Sequence, residues 1–400
     1  MVKYFNTPYP IQWLSGILSF FASIVIKKDI HKAVLSSFHG DGYRGNNKIL
    51  FESLIYNSKI KPVWLTRNHS IYKDIVSKFG NSHVAYTHSF RGIKEMASAG
   101  LVFLSHGTSD YPFMYLPRRA CCIQTYHGLP TKKGEYMRPD GNKTPGFFHR
   151  IILRYRFNRI THFLSSSPFV THLYSKRFGL PQSIFKETGY PVYDKLIHSK
   201  NNKDYVLDKL STDLKPEFIF LYAPTYRKFS KTKWFPFPSF DAKKLSSLLE
   251  KYNGVIVLRP HPNERASLEK LLNISPRFLE VSHKEIEDVC ELLPAINGVI
   301  TDYSSIYLEG LLLDIPCLFI PYDIKNYSRG IPYDYDTHTP GAKVLDQDSF
   351  HKEIQNMIKH PGRYARERER VRNLFFSSTD GKATKKVIEM IEELVAKEDY

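Results

Sequence analysis

The chain has 400 residues, 42 % apolar and 14 % aromatic, enough for two packed cores and too much for a disordered polymer. Its 57 Lys and Arg against 40 Asp and Glu give a formal charge of +17, which points to phosphorylated ligands or an anionic membrane surface. The basic residues are spread along the chain with no zinc-finger or RNP-type sequence, so nucleic acid is not an expected partner. The four cysteines, Cys121, Cys122, Cys290 and Cys317, show no C-x-x-C spacing, and a reducing compartment is the simple reading.

In chain order, residues 11–26 are strongly apolar, with Lys3 before them and Lys27 and Lys28 after. The run is shorter than the roughly 20 residues of a spanning helix. Gln12, Ser15, Ser19 and Ser23 recur at three- and four-residue steps and make one polar stripe. Two readings stand side by side: an interfacial helix whose lysines reach anionic headgroups, or a core helix of the first domain. From residue 32 strand and helix patterns alternate, with strands at 33–36, 63–66, 84–86 and 101–104 and a helix at 48–56. Gly40-Asp41-Gly42-Tyr43-Arg44-Gly45 matches G-x-G-x-x-G, but the next strand ends in Arg67, not in an acidic residue that would hold a ribose. A glycine-rich loop that lets substrate approach the backbone is the better reading.

A strand then runs through Cys122-Ile123-Gln124-Thr125-Tyr126 into His127, and Gly128 and Pro130 force a loop that carries Lys132 and Lys133. The histidine falls at a strand's carboxyl end, where open α/β sheets bind ligands, and it titrates in the range a general base needs. A further strand at 162–167, the helix opened by Pro168 and the turn Thr188-Gly189-Tyr190-Pro191 lead to a polar stretch at 199–215, read as the domain boundary. The alternation restarts with the apolar run 218–222, which ends in Ala223-Pro224-Thr225-Tyr226-Arg227. The next strand, 255–258, ends in Arg259-Pro260-His261-Pro262, where the prolines fix the backbone and the arginine offers a planar fork for phosphate. The apolar run 295–300 ends in Thr301-Asp302-Tyr303-Ser304-Ser305 ahead of a helix. Strand, polar turn and helix start are the elements of an anion site, and the alternative is that Asp302, Ser304 and Ser305 only cap the helix. Asp334-Tyr335-Asp336 and Asp346-Gln347-Asp348 match D-x-D, a pattern too common to establish a metal; no metal site is assigned, and a divalent cation stays open.

The order of these segments resembles the CDP-glycerol glycerophosphotransferases of teichoic acid and related capsule synthesis, from about residue 36 to residue 341. The resemblance implies an α/β fold of two Rossmann-like domains facing a cleft, the GT-B type. The expected layout is a helix over 1–30, an acceptor domain over 31–200 and a CDP-donor domain over 215–400 that includes the C-terminal helices. It implies transfer of a polyol phosphate from a CDP-polyol donor to a hydroxyl on a lipid-linked or polymer acceptor, with CMP leaving. It also implies peripheral attachment to the cytoplasmic face of the membrane. The family's two functional histidines fall on His127 and His261, with His127 as the base. Arg259, Arg227, Thr301, Ser304 and Ser305 are expected at the donor phosphates, Glu309, Pro224 and Thr225 at the nucleotide, and Lys132 and Gly128 near the acceptor. Tyr126 stands where the family usually has Trp, and Glu309 where Asp is expected. Family polymerases carry additional N-terminal sequence, so limited addition or a capsule role is expected for a chain of this length. A GT-B sugar transferase using a nucleotide sugar is the competing reading.

Overall fold

The computed structural model describes residues 8–134, 137, 157–227, 232–261, 264, 268–327 and 329–397. Chain contacts divide these into two units. The first takes the described residues within 1–128, 139–194 and 380–400, and the second those within 129–138 and 195–379. The passage between units falls between Asp194 and Lys195, ahead of the polar stretch at 199–215. That stretch carries a helix of its own, Lys203–Lys209, and Asn202 donates to the Glu291 carbonyl at 2.7 Å, which ties it to the second unit.

In the first unit α1 (Tyr9–Val25) precedes β1 (Asp29–Leu35), followed by α2 (Gly45–Asn57), β2 (Lys61–Thr66), α3 (His69–Phe79), β3 (Val84–Tyr86), α4 (Phe90–Ala97) and β4 (Ala99–Leu104). β5 (Cys121–Gln124), β6 (His162–Leu164), α5 (Pro168–Phe178) and β7 (Phe185–Lys186) complete it, and α6 (Pro191–Ile197) contains the passage to the second unit. All seven strands pair in parallel, in the order 3-2-1-4-5-6-7. Short apolar runs with few charges suit strands covered on both faces; Val34, Trp64, Val102 and Ile123 are fully buried. Helix starts follow local chemistry. Asn68 and Ser89 accept backbone N–H bonds at the heads of α3 and α4, and Ser167 with Pro168 opens α5.

α1 packs with its polar side inward. Its polar stripe, Gln12, Ser15, Ser19 and Ser23, is the buried side, and its apolar residues face solvent: Trp13, Leu14, Ile17, Phe21 and Ile24 are all more than half exposed. The serines tolerate burial because each hydroxyl donates to the carbonyl three residues back, at 2.7–2.8 Å. Ser15 Oγ also meets His88 Nδ1 at 2.7 Å, and Ser19 Oγ accepts from Tyr115 N at 2.9 Å. Gly16 permits the close approach, since a Cβ there would sit 2.3 Å from the Phe113 carbonyl oxygen. No helix among the described residues is long and apolar enough to cross a membrane.

The second unit repeats the plan with β8 (Phe218–Tyr222), α7 (Ala242–Lys251), β9 (Gly254–Leu258), β10 (Phe278–Glu280), β11 (Gly298–Thr301), α8 (Ile306–Leu311), β12 (Cys317–Phe319), β13 (Gly341–Lys343), α9 (Gln347–Lys359) and α10 (Ala365–Phe375). Its six parallel strands lie in the order 10-9-8-11-12-13. Phe220, Ile256, Ile300 and Leu318 meet Leu245 and Phe350 from the helices in one core. Each sheet is therefore doubly wound, as expected, and reverses its strand order once, between β1 and β4 and between β8 and β11. Ligands of such sheets bind outside the carboxyl ends of the strands at that reversal.

The last helix, α11 (Ala383–Ala396), departs from the expected layout: it belongs to the first unit, not to the second, which precedes it in sequence. Its buried face is Ala383, Val387, Ile391 and Val395, and it packs on α2. Asp194 fixes its start from 189 residues away, accepting from Ala383 N at 2.9 Å and Thr384 N at 2.7 Å. Asp194→Ala is expected to lower stability by about 0.5–2 kcal/mol, as for loss of an N-cap. Urea denaturation should show the midpoint falling with the slope unchanged.

Candidate active site

At the reversal of the first sheet three histidines collect on three strand ends. β1 runs into Ser36-Ser37-Phe38-His39, β4 into Ser105-His106, and β5 into Thr125-Tyr126-His127. The His106 and His127 rings stack at 3.7 Å and 3°, and His39 lies 4.7 Å from His106. Tyr126 holds φ 58°, in the left-handed region that a bulky residue rarely adopts, and this turn sets the direction of His127. The turn is held from α2. Asn46 donates to the Thr125 and Tyr126 carbonyls at 3.2 and 3.0 Å, and Asn47 accepts from Thr125 Oγ1 at 2.7 Å. His127 Nδ1 donates to the Ser105 carbonyl at 3.1 Å, which leaves Nε2 as the acceptor. The ring still meets solvent, yet the packing around it lowers its pKa below the ordinary value. Arg177 and His39 add to that, against the opposite pull of the Ser105 carbonyl. Burial and then His127 itself lower His106 likewise, so both imidazoles are neutral at neutral pH.

One carboxylate underlies this arrangement. Asp110, fully buried, accepts from His39 N at 2.9 Å, Ser105 N at 2.6 Å and His106 N at 2.7 Å. Burial raises its pKa to about 6, against the lowering by those three donors. The glycine-rich loop serves the same construction. Gly40 has φ 83°, where a Cβ would lie 3.0 Å from the Asp110 carbonyl oxygen, and Arg67 bridges from beneath to Asp41 and the His39 carbonyl. Gly128 borders open space on its Cα and accepts the Tyr174 hydroxyl with its carbonyl.

The second reversal is built in the same manner around Asp302, which is 2 % exposed. Its Oδ1 accepts from Thr225 N at 2.8 Å and Tyr303 N at 2.5 Å, and its Oδ2 takes Arg227 Nη2 at 2.8 Å. Arg227, expected at the donor phosphate, is held in this structure by protein groups. Asp302, Asp323 and the Thr225 carbonyl engage four of its five N–H donors, so it braces the loops. Removing one partner of such a buried pair costs about 3–5 kcal/mol. Thr301 is also turned inward, donating to the Ala223 carbonyl at 2.7 Å.

Ser304 and Ser305 are different. Both are half-buried, and neither hydroxyl makes a hydrogen bond among the described residues; Ser305, at the head of α8, does not cap it. The capping alternative is thereby removed. Thr225 Oγ1 is a further buried hydroxyl without a partner among the described residues, in the loop after β8 where a nucleotide contact was expected, beside Pro224. Arg259, at the end of β9, donates to the Ser282 and Glu287 carbonyls at 2.8 and 3.3 Å. His261 is exposed and stacks on Tyr226 at 4.8 Å; burial of part of its surroundings and the nearby Lys132 charge lower its pKa. Lys132, expected near the acceptor, stands in the second unit with His261, because 129–138 belongs to that unit and Lys133 N donates to the Gly330 carbonyl at 3.2 Å. Glu309 is buried in α8; burial first, and its nearby charge after it, raise the pKa of Tyr333 and Cys290.

The sequence reading passed over His39, His106, Asp110 and the Asn46–Asn47 pair. His106 was within reach of the rule that found His127, a histidine just past an apolar strand; the asparagines carry no comparable signal. Both D-x-D matches are helix caps: Asp334 accepts from Thr337 N and Asp346 from Ser349 N. Among the described residues no group of three or more His, Cys, Asp or Glu is placed to hold a metal.

Residues 18–393 match the family described as CDP-glycerol:poly(glycerophosphate) glycerophosphotransferase. A teichoic acid glycerol-phosphate transferase of Staphylococcus aureus is 26% identical over 370 residues, 89% of this chain and 91% of that protein. A teichoic acid poly(glycerol phosphate) polymerase of Staphylococcus epidermidis is 27% identical over 380 residues, 90% of this chain and 50% of its own length. Among solved structures, the wall teichoic acid polymerase TagF superposes with a TM-score of 0.73 at 22% identity, covering 96% of this chain and 94% of that one. Staphylococcus aureus MnaA with UDP superposes at 0.57 and 14% identity, covering 93% and 97%; at these identities the two structures speak to the fold alone. With a match that spans nearly its whole length and two doubly wound sheets, the chain belongs to the CDP-glycerol:poly(glycerophosphate) glycerophosphotransferase family.

Proposed function

We propose that this enzyme transfers glycerol phosphate from CDP-glycerol to a hydroxyl of a teichoic-acid-like acceptor and releases CMP. The family match supports the reaction, and one solved TagF structure was soaked with CDPG. The observation that carries the assignment of roles is the orientation of His127, with Nδ1 donating to a carbonyl and Nε2 left to accept a proton. In this reading His127 takes the proton of the acceptor hydroxyl as its oxygen attacks the β-phosphorus. The bond to CMP breaks, and the leaving phosphate carries away the electron pair. Phosphoryl transfer is governed by positioning and charge stabilisation. Arg259, Lys132, His261 and the Ser304 and Ser305 hydroxyls supply these on the donor side, with Arg227 holding the loops in place.

The same reading places the enzyme peripherally at the cytoplasmic face of the membrane, with a lipid-linked or polymer acceptor. The exposed apolar row of α1 supports this, since a helix with one apolar side lies in the interface and does not cross it.

Four outcomes are expected. His127→Ala lowers turnover by about 10²- to 10⁴-fold while CDP-glycerol still binds by calorimetry. Because the neutral form is the base and its pKa is depressed, parental kcat/KM stays level from neutral pH upward and falls only below the ordinary histidine value of about 6.5. Near-normal turnover in the variant, or an acid limb centred above that value, refutes the assignment. The Ser304→Ala, Ser305→Ala double variant weakens CDP-glycerol binding roughly ten- to a hundredfold, leaves cytidine binding alone and leaves Tm unchanged, since no cap is lost. Equal losses for both ligands would remove the serines from the phosphate site. Finally, Ile17→Glu with Phe21→Glu, both on the exposed row, abolishes co-sedimentation with lipid vesicles while the circular dichroism of the protein is retained; full binding by this variant places the membrane contact elsewhere.

A further inference from the structure

The first sheet has a second concavity, at the amino-terminal ends of its strands, opposite the histidines. It has a volume of about 350 Å³, within the range of small-ligand sites, and lies where β4, β5 and β6 begin. Ile30, Leu101 and Leu394 give it an apolar lining, and Arg118, Arg119 and Lys397 stand around it. Among the described residues no carboxylate lines it, and Arg118 and Lys397 form no ion pair. Like charges gathered around one cavity repel one another, and a bound anion relieves that repulsion. A guanidinium fork and an ammonium suit a phosphate ester in particular. The apolar lining suits the carbon atoms attached to it.

The surroundings decide which phosphate ester. Arg119 donates to the Ser23 carbonyl at 2.8 Å, so the cavity is joined to the end of α1. The next residues of that helix, Ile24 and Val25, are 61% and 84% exposed, and exposed Lys27 follows. An amphiphile whose acyl chains lie against this row brings its headgroup to Arg119. We propose that this cavity is a binding site for the phosphate headgroup of an anionic glycerolipid, separate from the donor and acceptor sites. The proposal rests on the membrane reading of α1. It adds that the membrane is held by a defined headgroup site as well as by an apolar face.

The test uses the full chain with vesicles of phosphatidylcholine alone and with phosphatidylglycerol added. The parent should prefer the anionic vesicles. Arg118→Ala with Lys397→Ala should reduce that preference roughly tenfold, while binding to phosphatidylcholine vesicles and turnover on a soluble acceptor stay as they were. A control pair on α3, Lys73→Ala with Lys78→Ala, should change the preference far less; an equal loss there would mean diffuse surface charge and overturn the site. Cys121 also lines the cavity and gives a local readout. Anionic vesicles should slow its alkylation several-fold, and phosphatidylcholine vesicles should not. Inorganic phosphate at matched ionic strength should protect only at much higher concentration; protection by phosphate equal to that by lipid would make the occupant a soluble anion. Parental protein that binds neither vesicle refutes the membrane reading and this site together. Binding indifferent to Arg118 and Lys397 refutes the site alone.

Discussion

In each unit one buried carboxylate holds together the two loops between which the sheet reverses. Asp110 gathers backbone N–H groups from the loops after β1 and β4, and Asp302 does the same for the loops after β8 and β11. A parallel sheet delivers its strand ends to one edge but leaves their N–H groups pointing into a crevice without a ladder partner. A carboxylate can accept several such donors at once, which is why it can organise a turn that no regular hydrogen-bond pattern would hold. Its charge is the cost. Asp110 meets it with N–H donors alone and its pKa rises, whereas Asp302 has Arg227, itself anchored by Asp323.

The two solutions suit different chemistry. Around Asp110 the crowded, stacked imidazoles stay neutral, the state in which a ring nitrogen accepts a proton. Around Asp302 the arginine is held by two carboxylates and the Thr225 carbonyl, and the half-buried Ser304 and Ser305 hydroxyls are left without a partner among the described residues. Such donors hold an anion without fixing so much positive charge in the loop that the loop itself is destabilised.

The N-terminal helix applies a related constraint to its own packing. Small residues allow α1 to lie close against α4 and the segment around Phe113, and the serine hydroxyls donate to the preceding turn while Ser15 and Ser19 also bond to His88 and Tyr115 across the contact. The bulky side chains are thereby left outside. The usual relation between apolarity and burial is inverted, which is stable in water only as long as the exposed row stays small, and favourable when a second apolar phase is present.

The sequence by itself determined the strands, because runs such as 218–222 and 255–258 are apolar throughout and only a sheet covered on both faces accommodates them. It also determined the positions of His127, Arg259, His261 and the serines of 304–305 at strand ends, since chain order alone fixes which residues come directly after a strand. Tertiary structure decided the rest. Arg227 and Ser304 look equally available in sequence, but the arginine lies between two carboxylates while the serine has no partner among the described residues. Lys132 lies five residues beyond His127 yet belongs to the other unit, and α11 returns to the first unit because Asp194 and an apolar face on α2 receive it. The polar stripe of α1 was legible, but its direction was not: periodicity defines two faces of a helix, and only the neighbours it packs against decide which one is turned inward.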